Sequence, residues 1–195
     1  MENNKFLEIK KSMGEDFPPK FTHSDNSIFR NCYSHALNLW YESLEALQGL
    51  IYNPGCLTAL ANGSDIFFDV EEEKRKDESL QNTLSSYDTD LLIKRIKRDC
   101  NKLNLNVSLT NLDKPSGENS YKVIFCIMDI SKSSWHFLRE SILENGKKVW
   151  THKPAFLLPA CPVNFICSEK NVIFIEDEDI YHKYLIKAIF EISKK

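Results

Sequence analysis

The stretch Ser24–Trp40, "SDNSIFRNCYSHALNLW", sets a cysteine, Cys32, where helical apolar spacing begins, with His35 three residues further on. A thiol in the first turn of a helix meets unpaired backbone N–H groups and a partial positive charge, and both favour the thiolate. The same N–H groups can hold a developing oxyanion. A nucleophilic thiol also needs a base, usually a histidine, and a group that orients it. The chain offers His23, His35, His136, His152 and His182. His35 can touch Cys32 on a helix surface, but so local a pair leaves little room for a substrate. His136, in "SSWHFLRE", and His152, in "KKVWTHK", fall in two segments that flank "ENG" and read as a hairpin. A two-residue Asn-Gly turn pairs Arg139 with His152 and sends the two histidines to opposite faces. A three-residue loop with Gly146 in the left-handed region pairs Leu138 with His152 instead. His136 and His152 then become diagonal neighbours on one face, shielded by Leu138 and Trp150. The sequence allows either turn. The plainer alternative is that Cys32 is a small core hydrophobe and each strand histidine a satisfied polar group.

The elements that must position these residues divide the chain in two. Residues 1–25 are polar, carry "FPPKF" and read as an extended lead-in; 26–195 reads as a single catalytic domain. Phe29, Tyr33, Ala36, Leu37, Trp40, Leu44 and Leu47 follow helical spacing, and "NPGC" at 53–56 ends that helix. "EEEKRKDE" at 71–78 reads as solvated surface. "DTDLLIKRIKRDCNKL" puts Leu92, Ile93, Ile96, Cys100 and Leu103 on one helical face, with Asp88 or Asp90 able to cap it. Strands follow: Leu105, Val107 and Leu109 alternate with polar residues, "YKVIFCIMDI" is a continuous apolar run, and "VNFICS" and "NVIFIED" are short. "DIYHKYLIKAIFEISKK" reads as a closing amphipathic helix with Tyr184, Leu185, Ala188 and Ile189 inward. Helices first and neighbouring strands afterwards predict an α+β fold with a mainly antiparallel sheet.

Composition excludes several classes. A chain of 195 residues with 42 % apolar and 27 % charged residues is ordinary globular material for one domain. A formal net charge of −3 gives no electrostatic case for nucleic acid or an anionic membrane as partner. No apolar run reaches the ~18 residues of a spanning helix. The charged N-terminal stretch lacks the apolar region of a Sec signal, which points to a reducing compartment. The six cysteines, Cys32, Cys56, Cys100, Cys126, Cys161 and Cys167, show no framework spacing and read as thiols. No CxxC occurs, so no metal site is expected. Neither GxGxxG nor GxxxxGK[ST] is present, which argues against a nucleotide site.

A cysteine at a helix start, then a histidine on one strand and a polar residue on the next, resembles the papain-like thiol hydrolases, including the NlpC-like and CHAP-like amidases. More narrowly, "NCYSHAL", "NPG", "WHFLRE…NG" and "VWTHKPA" resemble a set of bacterial and viral proteins with an Asn-Cys-Tyr helix start and a Trp-x-His-Lys-Pro strand. The match is scattered between Asn31 and Ala155. Ala155 stands where that set carries glycine. The resemblance implies a papain-like fold with an N-terminal helix carrying the cysteine. It implies Cys32 as nucleophile, His136 as general base and His152 as orienter, with Asn164 or Asp129 as substitutes for His152. An oxyanion donor upstream of the cysteine would be Asn26 or Asn31. The expected function is cysteine-dependent hydrolysis of an amide or isopeptide in a protein or peptide substrate, without a cofactor. The enzyme would be a peptidase, amidase or deamidase, or a crosslinking enzyme if an amine replaced water. The runner-up is a catalytically inactive protein-binding or inhibitor module of the same fold. The setting would be the cytoplasm, or export without a Sec signal as an effector.

Overall fold

The computed structural model describes residues 17–21, 32–38, 89–128, 135–152, 160–177 and 179–195. In chain order these form helix α1 (Cys32–Ala36), helix α2 (Thr89–Lys102) and strands β1 (Leu105–Leu109), β2 (Ser120–Met128), β3 (Trp135–Ile142) and β4 (Lys148–His152). Then come β5 (Cys161–Pro162), β6 (Phe165–Glu169), β7 (Val172–Asp177) and β8 (Ile180–Lys194). The strands make a single antiparallel sheet in the order β5-β4-β3-β2-β8-β7-β6, with β1 added along β8. This corrects the sequence-based expectation. The described residues form a curled half-barrel of antiparallel strands with little helix, not a papain-like α+β fold built on an N-terminal helix.

Two segments account for the difference. Of the helix expected from Phe29 to Leu47, the described part is Cys32–Ala36; residues 29–31, 39–47 and the "NPGC" stop lie outside the described residues. After Ala36, Asn38 takes a left-handed φ of 55° and its N–H returns to the His35 carbonyl, 3.1 Å away. Asparagine tolerates that conformation and is a common helix stop. The closing segment is strand β8 throughout, not a helix. Its apolar residues fit both periods, but burial follows the strand period: Tyr184, Ile186, Ala188, Phe190 and Ile192 are buried in alternation with less buried neighbours. A bulge between Phe125/Cys126 and the facing Ala188/Ile186 skips Lys187. Tyr184 and Ile186 therefore face one side while Ala188, Phe190 and Ile192 face the other. Isoleucine at 186, 189 and 192 fits a pleated surface better than a helix.

The inner face carries the main core: Ile124, Cys126, Leu138, Val163, Ile173, Ile175, Tyr184 and Ile186, with Trp150, Phe165 and Ile189 packed against it. Each fully buried aliphatic side chain there contributes ~1.5–3 kcal/mol. The outer face carries Tyr121, Val123, Phe125, Phe137, Arg139 and Phe190, all buried. There α1 packs on β3 and β4, and α2 on β1 and β8. Helix α2 buries Ile96, Cys100 and Leu103 as its spacing predicts, and ends at Asn104, whose φ is 60°. The lead-in residues 17–21 lie along β3. Phe21 N–H reaches Ile142 O and Ile142 N–H reaches Pro19 O, each at 3.0 Å.

Candidate active site

The β3–β4 connection decides between the two registers the sequence allows. Gly146 has φ 79°, its N–H bonds Leu143 O at 2.8 Å, and Leu143 N–H bonds Lys147 O at 2.9 Å. That is the three-residue loop. Leu138 consequently faces His152. His136 and His152 share the inner face, with ring centroids 6.0 Å apart and planes tilted by 42°. The edge of Tyr184 stands on His136, 5.4 Å between centroids at 82°. Buried Leu138 lies between the two histidines in the sheet, and Trp150 flanks them. Water is therefore largely kept from one side of the imidazole pair, which strengthens any electrostatic interaction made there.

Cys32 opens α1 and is 7 % exposed. The body of α1 is fixed to the opposite, outer face by a buried network. Arg139 Nη1 donates to His35 O at 2.7 Å and to Asn38 Oδ1 at 3.2 Å, and Arg139 Nε donates to Ser141 Oγ at 3.0 Å. Ser141 and Thr151 hydroxyls meet at 2.8 Å, and His35 Nε2 lies 2.9 Å from Thr151 Oγ1. Tyr121 O–H donates to Ala36 O at 3.0 Å. Ser141 Oγ accepts from Arg139, and the Thr151 hydroxyl also lies 3.3 Å from Arg139 O. His35 Nε2 is engaged with Thr151 in this helix anchor.

Cys126 links the two faces. It pairs with His136 across β2 and β3, and its Sγ lies 3.7 Å from His136 O. Burial pushes the Cys126 thiol up, and the charge of Cys32 pushes it further. Cys126 therefore stays protonated near neutral pH and can donate its weak S–H to that carbonyl.

Of the other sequence-derived candidates, Asn26, Asn31, Asp129 and His23 lie outside the described residues. Asn164 is exposed and sits between the inward-facing Val163 and Phe165, away from the histidine pair. His182 faces Ile175 across β7 and β8. Two residues the sequence reading passed over flank the histidines in register: Cys126 opposite His136, and Cys161 opposite His152. Their signal was spacing from each histidine, which has meaning only once strand pairing is known. Among the described residues no group of three or more His, Cys, Asp or Glu side chains is placed to hold a metal ion. No protein-family model, curated protein or solved structure matches the chain.

Proposed function

We propose that the chain is a cysteine-dependent acyl-transfer enzyme acting on an amide or isopeptide bond of a protein or peptide. The observation that supports this reading best is the pairing of His136 with His152 on one shielded face of the sheet. In this reading thiol and imidazole meet round the start of β3. His136 takes the Cys32 proton as sulfur attacks the carbonyl carbon. It then returns that proton to the departing amine. Water, deprotonated by His136, releases the acid and restores the thiol. His152 orients the His136 ring and stabilises its charged form. Asn26 and Asn31 remain the candidates for the oxyanion donor.

The experiment is site-resolved alkylation of the full chain with iodoacetamide near neutral pH. Cys32, 7 % exposed, is expected to react well ahead of the fully enclosed core thiols Cys100 and Cys126. Replacing His136 with alanine should bring Cys32 down to their rate. The second reading, a binding or inhibitor module without turnover, is favoured by the burial of Cys32. It prevails if Cys32, Cys100 and Cys126 react equally slowly in the unaltered chain.

A further inference from the structure

Cys161 stands apart from the other described thiols. Cys32, Cys100 and Cys126 are buried, whereas Cys161 is half-buried and Cys167 is exposed; all five are reduced. Cys161 belongs to β5, the last strand in the sheet order, so its outer side meets no further hydrogen-bonded strand among the described residues. Its cross-strand partner is His152. Directly opposite residues of an antiparallel pair have Cβ atoms ~4.5–5.5 Å apart and point the same way. Val163, two residues on, is in the inner core and confirms that Cys161 shares the face of His152. An imidazole at that range accepts the thiol proton and, once charged, holds the thiolate. Cys167 has the opposite surroundings: partial burial and the charge of Asp113 both raise its pKa.

We infer that Cys161 is a modification site, a histidine-assisted thiol that exchanges with small-molecule disulfides. The Cys161 thiolate attacks one sulfur of the disulfide, whose S–S bond breaks as the new one forms. The other half leaves as a thiolate and takes up the proton that His152 had accepted. Atoms and charge balance, and the disulfide is the oxidant. This goes beyond the hydrolase proposal and needs neither Cys32 nor turnover, although the two share His152.

The test is exposure of the full chain to oxidised glutathione, with adducts assigned residue by residue by mass spectrometry over time. Cys161 is expected to form its mixed disulfide about tenfold faster than Cys167, although Cys167 is the more exposed thiol. His152→Ala and the milder His152→Gln should each remove that advantage, while Cys100 and Cys126 stay unmodified and report an intact fold. Equal rates at Cys161 and Cys167 in the unaltered chain overturn the proposal. So does an advantage that survives in a folded His152 variant. If both variants unfold, the ratio in the unaltered chain decides. The outcome for Cys161 is read separately from the alkylation rate of Cys32, so failure of one proposal does not imitate failure of the other.

Discussion

The two faces of β3 solve the burial of polar groups in different ways. On the outer face, Arg139 is completely enclosed and spends its donors on a carbonyl, an amide oxygen and a hydroxyl. That network anchors a helix of five residues. On the inner face, two imidazoles and two thiols lie in register with one another among aliphatic and aromatic side chains. A dense set of hydrogen bonds fixes geometry, whereas imidazoles in largely apolar surroundings can move protons. The contrast separates the part of this sheet that holds from the part that can react.

The sharpest break of that comparison is a pair of substitutions one residue apart. Arg139→Met removes the hub of the outer network and leaves buried carbonyl and hydroxyl groups without their donor. It is expected to cost about 3–5 kcal/mol of unfolding free energy. Leu138→Met, on the inner face of the same strand, keeps volume and polarity and should cost less than about 1.5 kcal/mol. Urea denaturation of both variants tests this. Similar losses would mean that the outer network is no more structural than the inner core.

A smaller effect tests the His35 anchor. Thr151→Val keeps shape but deletes the hydroxyl that bonds His35 Nε2 and the Ser141 hydroxyl. The expected loss is about 1–3 kcal/mol, because both groups are left buried beside an inert methyl group. Thr151→Ser, which keeps the hydroxyl, should recover most of it. If valine and serine behave alike, His35 is not anchored through that hydroxyl.

How much of this arrangement was legible in the sequence follows from what each signal depends on. The β3–β4 hairpin and α2 were readable because their determinants are local: "ENG" supplies the turn, and Ile96, Cys100 and Leu103 supply the stripe. The choice between hairpin registers was not readable, because both turns suit the same residues and the packing of Leu138 and Trp150 decides. Strand β8 was misread because Tyr184, Leu185, Ala188 and Ile189 also fit a helical stripe, and its bulge shifts the phase of the strand midway. The end of α1 after Ala36 was not readable, because Leu37 and Trp40 continue the apolar spacing while Asn38 turns out of the helix. The Arg139 anchor had no signature, since two of its acceptors, His35 O and Asn38 Oδ1, lie about a hundred residues away. The histidine pair could be anticipated as one of two outcomes. Cys161 could not, because its relation to His152 exists through the β4–β5 pairing alone.

The smallest expected effect lies at the far end of the sheet, where polar groups meet solvent. Glu191 accepts from Gly117 N–H at 2.9 Å and from the Ser120 hydroxyl at 2.6 Å. These bonds, the backbone one first, hold its carboxyl below its usual value, helped by the charges of Lys114 and Lys122. A carboxyl whose pKa is lower in the folded chain than in the unfolded one stabilises the fold above its unfolded pKa. That contribution fades as acidification passes through the folded value. The site is largely solvated, so screening keeps the gain small, and Glu191→Gln should cost less than about 1 kcal/mol at pH 7. At pH 3 the gap between the two chains should narrow. Unlike the Arg139 network, this bond set should also weaken in high salt. A gap that keeps its size in acid and in salt would mean that Glu191 holds the 110–119 loop by packing and not by its charge, and the distinction between hydrogen-bonded anchor and titratable polar groups would not extend to this end of the sheet.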